Sequence, residues 1–164
     1  MFPQRIVDNA PFGTGEEPAA SEAQAQVIPE TPEQPERRST VMVVDDNLLY
    51  LKEMDSWLRK LNLKTIMAKS GEECLRILER KHVDMIFMDQ MMPGMDGTQT
   101  LQEIRRLETE QGVSRSIPVV LLTADDTSGA RKRYLEAGFD DYLSKPIEPH
   151  QFRDQVEHFL KIRI

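Results

Sequence analysis

The chain has 164 residues, of which 39% are hydrophobic and 30% are charged, and its formal net charge is -7. This length accommodates one domain plus a tail, and the negative charge argues against a nucleic-acid surface spread over the whole chain. No apolar run approaches the ~20 residues of a membrane helix, no signal-peptide stretch is present, and the single cysteine excludes an internal disulfide and a cysteine-rich zinc site. We expect a cytoplasmic protein that contacts neither membrane nor nucleic acid directly.

Residues 1–39 differ from the rest of the chain in composition. They hold six of the ten prolines, many Glu, Gln and Ala residues, and seven acidic against three basic side chains. Apolar residues are scattered there without a helix or strand period, so the segment cannot bury enough surface to offset the entropy cost of ordering. We predict that residues 1–39 form a disordered tail or linker and that residues 40–164 form the folded domain.

Strands and helices are predicted to alternate five times in the folded domain. Short apolar runs bounded by turn residues predict buried strands, and apolar residues at helical spacing predict helices that pack on one side. The predicted strands cover 41–44, 63–68, 85–89, 118–122 and 139–144. The first helix is predicted to begin after Asn47 and the second at a capping box over 70–73, and the other three are predicted to cover 98–110, 128–137 and 149–161. This alternation is typical of a parallel sheet with right-handed crossovers and helices on both faces.

Four of the five predicted strands end in polar residues that a core does not need. They are Asp45-Asp46, Asp89, Thr123 and Lys145. Parallel strand ends lie on one edge of the sheet, and with the order 2-1-3-4-5 the first and third strands are neighbours, so the three acids converge. Carboxylates that close repel one another, and a hard divalent cation such as Mg²⁺ resolves this repulsion. With a lysine and a hydroxyl at the same edge, the set suits phosphoryl transfer to Asp89 as the nucleophile.

Each of these residues also has an ordinary structural interpretation. Asp45-Asp46 would cap the first helix, Asp89 would start a turn, Thr123 would end a strand, and Lys145 would be a solvated charge. The functional interpretation depends on all four strand ends being polar together.

Four motifs in the folded domain resemble the receiver domain of two-component response regulators. They are VVDD (43–46), MDQMMPGMDG (88–97), LLTAD (121–125) and DYLSKPI (141–147). The resemblance implies an α/β, flavodoxin-like (βα)5 fold with a parallel sheet of order 2-1-3-4-5. It also implies a phosphorylation-switched signalling module that is not an enzyme, in which Asp89 accepts a phosphoryl group from a histidine kinase or a histidine phosphotransfer protein.

The resemblance implies a metal site beside the phosphorylated residue. Asp46, Asp89 and the backbone carbonyl of Met91 are expected to hold Mg²⁺ or Mn²⁺, with Asp45 acting mostly through water. Because the Met91 side chain has no polar group to orient an attacking water, we expect it to shield the acyl phosphate and to lengthen its lifetime.

The resemblance also implies a switch. Thr123 and Lys145 are expected to bind phosphoryl oxygens, and the peptide bond between Lys145 and Pro146 is expected to be cis. On phosphorylation, Thr123 is expected to move toward the phosphoryl group and Tyr142 to turn inward, which changes the surface of the fourth helix, fifth strand and fifth helix. Receivers often pair through this face, so a homodimer is a further expectation.

Three alternatives stay open. Met1 favours a stand-alone regulator, whereas the proline-rich lead-in and the style of the motifs favour a receiver from a hybrid histidine kinase. A Mg²⁺-dependent hydrolase that works through an aspartyl phosphate would need a second acid two residues beyond the nucleophile, where Met91 stands. A receiver-like scaffold that binds without phosphorylation is disfavoured by the complete set of acids, Thr123 and Lys145.

Overall fold

The computed structural model of the protein describes residues 37–163, which contain five strands and five helices. In chain order these are β1 (Thr40–Val44), α1 (Leu48–Lys60), β2 (Lys64–Ala68), α2 (Gly71–Leu78), β3 (Met85–Asp89), α3 (Gly97–Glu110), β4 (Val119–Thr123), α4 (Ala130–Glu136), β5 (Asp141–Ser144) and α5 (Pro149–Leu160). Apart from residues 37–39, the predicted tail lies outside the described residues, so its disorder and the boundary before Thr40 stay predictions. Within 37–163, no helix has the length and apolar character needed to cross a lipid bilayer.

The five strands form one parallel sheet with the order β2-β1-β3-β4-β5. Val41 of β1 lies opposite Thr65 of β2 on one side and Met85 of β3 on the other. The strand order confirms the flavodoxin-like prediction, and it makes β1 and β3 neighbours where the order reverses. The residues that follow β1 and end β3 therefore meet at the carboxyl edge of the sheet.

Alternate strand residues face two hydrophobic layers, one on each side of the sheet. On the side covered by α1 and α5, the Phe87 ring stacks on Phe152 with centroids 4.3 Å apart. On the other side, Met42 and Met88 pack in a cluster with Leu101 and other residues of α2 and α3. Every residue of β3 and β4 is buried, as expected for strands covered on both faces. This packing fixes the strand ends that carry the polar residues.

The capping box predicted for α2 is incomplete. Ser70 Oγ accepts a hydrogen bond from the N–H of Glu73 at 3.1 Å, but the Glu73 carboxylate accepts from the N–H of Lys69 and does not return to Ser70. A complete capping box opens α3 instead, where Asp96 accepts from the N–H of Gln99 and the Gln99 side chain accepts from the N–H of Asp96. The sequence spacing is the same in both places, so the loop before each helix decides which N–H the second side chain reaches.

Helix α4 is shorter than predicted. The prediction placed it over 128–137, whereas the helix covers Ala130–Glu136 and begins after Gly129. Gly129 has a φ of 84°, in the left-handed region that favours glycine, and no side chain caps the helix. Ala130 is the buried residue of this helix. Since helices in proteins gain most of their stability from packing, α4 depends on contacts made by its polar and aromatic side chains.

Candidate functional site

Three acidic side chains converge at the carboxyl edge of the sheet. Asp45 follows β1 and Asp89 ends β3, and the pairing of Val44 with Met88 places the two acids side by side. Asp45 is 1% exposed and Asp89 is 4% exposed, whereas Asp46 lies at the surface. One carboxylate oxygen from each acid lies within 4.8 Å of the others. The structure therefore brings the three predicted acids together.

Lys145 joins this group from the end of β5. Its Nζ lies 3.0 Å from Asp45 Oδ2 and 3.0 Å from Asp89 Oδ1, and its side chain is 14% exposed. The peptide bond between Lys145 and Pro146 is cis. The ammonium group also lies over the Tyr50 ring of α1, 4.3 Å from the ring centroid. One cation thus bridges both buried carboxylates and fixes the position of Asp89.

The ionisation of this group reflects burial and pairing together. Burial raises the pKa of the Asp89 carboxyl, the hydrogen bond from Lys145 opposes that rise, and the net shift is upward. Burial lowers the pKa of Lys145, but its hydrogen bonds to Asp89 and Asp45 outweigh burial, and the net shift is also upward. Lys145 therefore stays charged at neutral pH. Three carboxylates against one ammonium leave an excess of negative charge at this edge.

The donor set suits a hard divalent cation. Mg²⁺ prefers carboxylate oxygens and keeps several waters, and the exposed position of Asp46 leaves the solvent side open. Asp45, Asp46 and Asp89 each offer a ligand atom, so the residues present fit a magnesium ion. Met91 lies in the loop after β3, and its side chain is 77% exposed.

A glycine lets α3 approach the end of β3 closely. Gly97 is the first residue of α3, and its N–H donates to the Gln90 carbonyl at 3.0 Å. A Cβ on Gly97 would lie 2.5 Å from the backbone carbonyl oxygen of Asp89. A larger residue would therefore displace the backbone that carries Asp89.

The two predicted switch residues both contact Asp125, in the loop between β4 and α4. Thr123 is 2% exposed, and its Oγ1 accepts from the Asp125 N–H at 3.1 Å. Tyr142 is half-buried, and its hydroxyl donates to the Asp125 carbonyl at 2.6 Å. Leu122, which precedes Thr123, lies opposite Asp89 in the sheet, so Thr123 stands at the same edge as the acids.

The contacts of the Asp125 carboxylate were not predicted from the sequence. Its Oδ1 accepts from the hydroxyl of Thr127 at 2.5 Å and from the Thr127 N–H at 3.0 Å. Its Oδ2 accepts from Arg133 at 2.7 Å and from the Tyr134 hydroxyl at 3.2 Å. These donors, Thr127 foremost, hold the pKa of Asp125 below its usual range. The Asp-x-Thr spacing, typical of an Asx turn, is the sequence signal for the Thr127 contact; no periodicity indicates the Tyr134 contact.

Comparison with known proteins assigns the chain to a family. The family model described as response regulator receiver domain matches residues 41–157. The chain belongs to this receiver domain family. Hybrid signal transduction histidine kinase K of Dictyostelium discoideum is 35% identical to it over 120 residues, which make up 71% of this chain and 10% of that kinase. Sensor protein GacS of Pseudomonas syringae pv. syringae is 34% identical over 120 residues, 73% of this chain and 13% of GacS.

Solved receiver structures share the fold of this receiver domain. A chain in the co-crystal structure of the Saccharomyces cerevisiae histidine phosphotransfer signaling protein Ypd1 with the receiver domain of Ssk1 has a TM-score of 0.70 and 27% identity, covering 74% of this chain and 88% of that chain. A second structure is the receiver domain of sensor histidine kinase PA1611 from Pseudomonas aeruginosa PAO1, solved with magnesium in its active site cleft. It has a TM-score of 0.66 and 28% identity, and the match covers 76% of this chain and 99% of that chain. Receiver domains are the phosphoacceptor signalling modules of two-component systems. This receiver domain spans 10% to 13% of the length of the two curated relatives.

Proposed function

We propose that this receiver domain is switched by phosphorylation of Asp89. The observation that carries the proposal is the position of the Lys145 ammonium, 3.0 Å from both Asp45 and Asp89. A cation held in a partly buried site stabilises the negative charge of transferred phosphoryl oxygens. Asp89 ends a strand at the edge of the sheet where ligands bind in open α/β folds, which is the edge that a donor would approach.

The proposed reaction transfers a phosphoryl group from a phosphorylated histidine to Asp89. A carboxylate oxygen of Asp89 forms the new bond to phosphorus while the bond between phosphorus and the imidazole nitrogen breaks. The electron pair of the broken bond stays on that nitrogen, which takes up a proton from water. The product would be an acyl phosphate, and Lys145 and Thr123 would bind its phosphoryl oxygens.

We infer that the reaction depends on Mg²⁺ or Mn²⁺. Asp46, Asp89 and the backbone carbonyl of Met91 would hold the ion, with Asp45 acting mostly through water. When bound, the ion supplies positive charge that neutralises the carboxylates and the phosphoryl oxygens. Support comes from the all-oxygen donor set and from the magnesium ion in the cleft of the PA1611 receiver domain.

The output would be a change in the surface formed by α4, β5 and α5. Thr123 would leave the Asp125 N–H and donate its hydroxyl to the phosphoryl group, which moves the loop that also holds the Tyr142 hydroxyl. The same face carries an exposed arginine, Arg131, paired with Asp141 at 2.7 Å. Its charges suit a homodimer, which would bring two copies of this face together.

The donor would be a histidine kinase or a histidine phosphotransfer protein. Support comes from the crystal complex of Ypd1 with the receiver domain of Ssk1 and from the histidine kinases among the curated relatives. The domain would act in the cytoplasm, where such kinases draw on ATP. It would assist its own phosphorylation and dephosphorylation and would turn over no separate substrate.

Borohydride trapping tests the assignment of Asp89. The protein is incubated with acetyl phosphate and Mg²⁺ and then treated with borohydride, which reduces an aspartyl phosphate to homoserine. We expect homoserine at position 89 in the tryptic peptide 82–105 and unchanged aspartate at Asp84 and Asp96 of the same peptide. A sample without Mg²⁺ is the control. Homoserine at another aspartate, with Asp89 intact, would show that the acceptor is wrongly assigned.

A further inference from the structure

Helix α4 carries a half-buried tyrosine that the proposed reaction does not use. The Tyr134 ring stacks on Tyr142, with centroids 6.0 Å apart and planes 16° from parallel, and its edge meets Phe139 at 6.3 Å. Its hydroxyl donates to Asp125 Oδ2 at 3.2 Å. Tyr134 therefore contacts Tyr142 and also Asp125, the loop residue to which both predicted switch residues are hydrogen-bonded.

Tyr142 is held inward by contacts that involve no phosphoryl group. Its hydroxyl donates to the Asp125 carbonyl at 2.6 Å, and the Tyr134 ring lies along its face. Apart from Asp125, residues 124–129 of the loop are exposed, so hydrogen bonds hold this loop more than burial does. Arg133 adds to them, since its guanidinium pairs with Asp125 at 2.7 Å and lies 5.9 Å from the Tyr134 ring centroid.

We propose that Tyr134 is a positioning residue that keeps Tyr142 packed inward before Asp89 is phosphorylated. The two contacts have separate roles: ring stacking covers Tyr142 directly, and the hydroxyl fixes the Asp125 loop to which Tyr142 is bound. The output surface is then set in part by α4, and phosphorylation acts mainly on the Thr123 end of the loop. Only this last consequence rests on the proposed function.

Fluorine NMR on the full chain measures how Tyr142 is packed. The sequence has three tyrosines, Tyr50, Tyr134 and Tyr142, so labelling with 3-fluorotyrosine gives three signals that single Tyr→Phe variants assign. Relaxation caused by a soluble gadolinium chelate reports the exposure of each ring. The protein is kept without a phosphoryl donor, so the result does not depend on whether Asp89 is an acceptor.

Three variants separate the roles of ring and hydroxyl. Tyr134→Ala removes both, Tyr134→Phe keeps the ring, and Lys132→Ala is a control on the same helix, at an exposed residue paired with Glu136 at 3.8 Å. We expect Tyr134→Ala to raise the relaxation of the Tyr142 signal roughly two- to tenfold, the range that the loss of one aromatic pair allows. Tyr134→Phe should retain most of the protection, and Lys132→Ala should match the parent.

An unchanged Tyr142 signal in a folded Tyr134→Ala protein overturns the inference, as does a Tyr142 ring that is already fully accessible in the parent. If Tyr134→Ala does not fold, Tyr134→Leu fills the space without an aromatic ring and carries the same expectation. Addition of acetyl phosphate and Mg²⁺ is a separate arm that tests the proposed function, in which the parent Tyr142 signal should shift because the loop that holds its hydroxyl moves. If no phosphoryl group is taken up, the proposed function fails while the first comparison still decides the role of Tyr134.

Discussion

Lys145 is the single residue on which the acidic edge most depends. Its ammonium contacts two carboxylates that are almost fully buried, and removing one partner of a buried ionic group leaves an uncompensated charge. We expect Lys145→Met to abolish phosphoryl uptake and, without Mg²⁺ at neutral pH, to lower the free energy of unfolding by about 3 kcal/mol. Urea denaturation measures the second effect, with Lys132→Met as an exposed control.

The stability lost in Lys145→Met should depend on pH and on metal. The pKa of Asp89 is raised in the folded protein, so below that folded pKa the carboxyl is protonated and needs no cation. The loss should therefore shrink as the pH falls, and Mg²⁺ should reduce it at neutral pH. A loss that is the same at every pH and with Mg²⁺ would contradict the account of Lys145 as the counter-ion of Asp89.

Met91 is expected to set the lifetime of the acyl phosphate. It stands two residues beyond Asp89 with its side chain 77% exposed, and a thioether cannot orient an attacking water as an amide does. Met91→Asn should shorten the lifetime roughly tenfold, equivalent to about 1.4 kcal/mol in the barrier. The decay of the phosphorylated mass after donor removal measures it, with Met67→Asn, at an exposed methionine of β2, as the control. Equal or slower decay in Met91→Asn excludes the shielding role.

The strands were more predictable from the sequence than the ends of the helices. The strand from Met85 to Asp89 has the predicted bounds. It could be predicted because a strand that is buried on both faces consists of consecutive apolar residues. Asn47 caps α1 as predicted, since an asparagine before an apolar period is a local signal. The start of α4 was not predictable, because it depends on the left-handed Gly129 and on tertiary contacts rather than on Ser128.

The same distinction applies to the candidate site. Asp45, Asp46, Asp89 and Lys145 could be placed together from the sequence because parallel topology brings strand ends to one edge whatever the details of packing. The contacts of Tyr134 could not be predicted from the sequence, because the direction of a side chain on a short helix depends on how that helix is rotated against the sheet.

Helix α3 is tied to the segment before β4 by a buried acid. Glu108 is 8% exposed, its Oε1 accepts from the Ile117 N–H at 2.6 Å, and it pairs with Arg105 at 3.0 Å. Glu108→Ala should lower the free energy of unfolding by about 2–3 kcal/mol, because a partly buried N–H and a charged partner lose their acceptor.

Urea denaturation tests this contact with two further variants. Glu108→Gln keeps one acceptor oxygen and should lose less stability. Glu110→Ala, at an exposed acid two residues further along α3, should change stability by no more than about 0.5 kcal/mol. Equal effects of Glu108→Ala and Glu110→Ala would show that the buried contact adds nothing to the fold.

Metal binding is expected to link the acidic edge to the stability of the domain. A ligand that binds the folded state stabilises it by about 1.4 kcal/mol at ten times its Kd. We expect the Tm of the parent to rise with Mg²⁺ and the rise to be largely lost in Asp46→Ala. Asp126→Ala, at an exposed acid in the loop before α4, is the control and should keep the parent's response. An equal rise in the parent and in Asp46→Ala would remove Asp46 from the metal site.

The intact mass of the protein after incubation with acetyl phosphate tests whether Asp89 is the phosphoryl acceptor. With Mg²⁺ present, the parent is expected to gain one phosphoryl group, because Asp89 combines burial, the Lys145 contact and a place at the end of β3. With EDTA in place of Mg²⁺ the parent should gain none, and Asp89→Asn should gain none under either condition. The same gain in Asp89→Asn as in the parent would contradict the assignment of Asp89 as the phosphoryl acceptor.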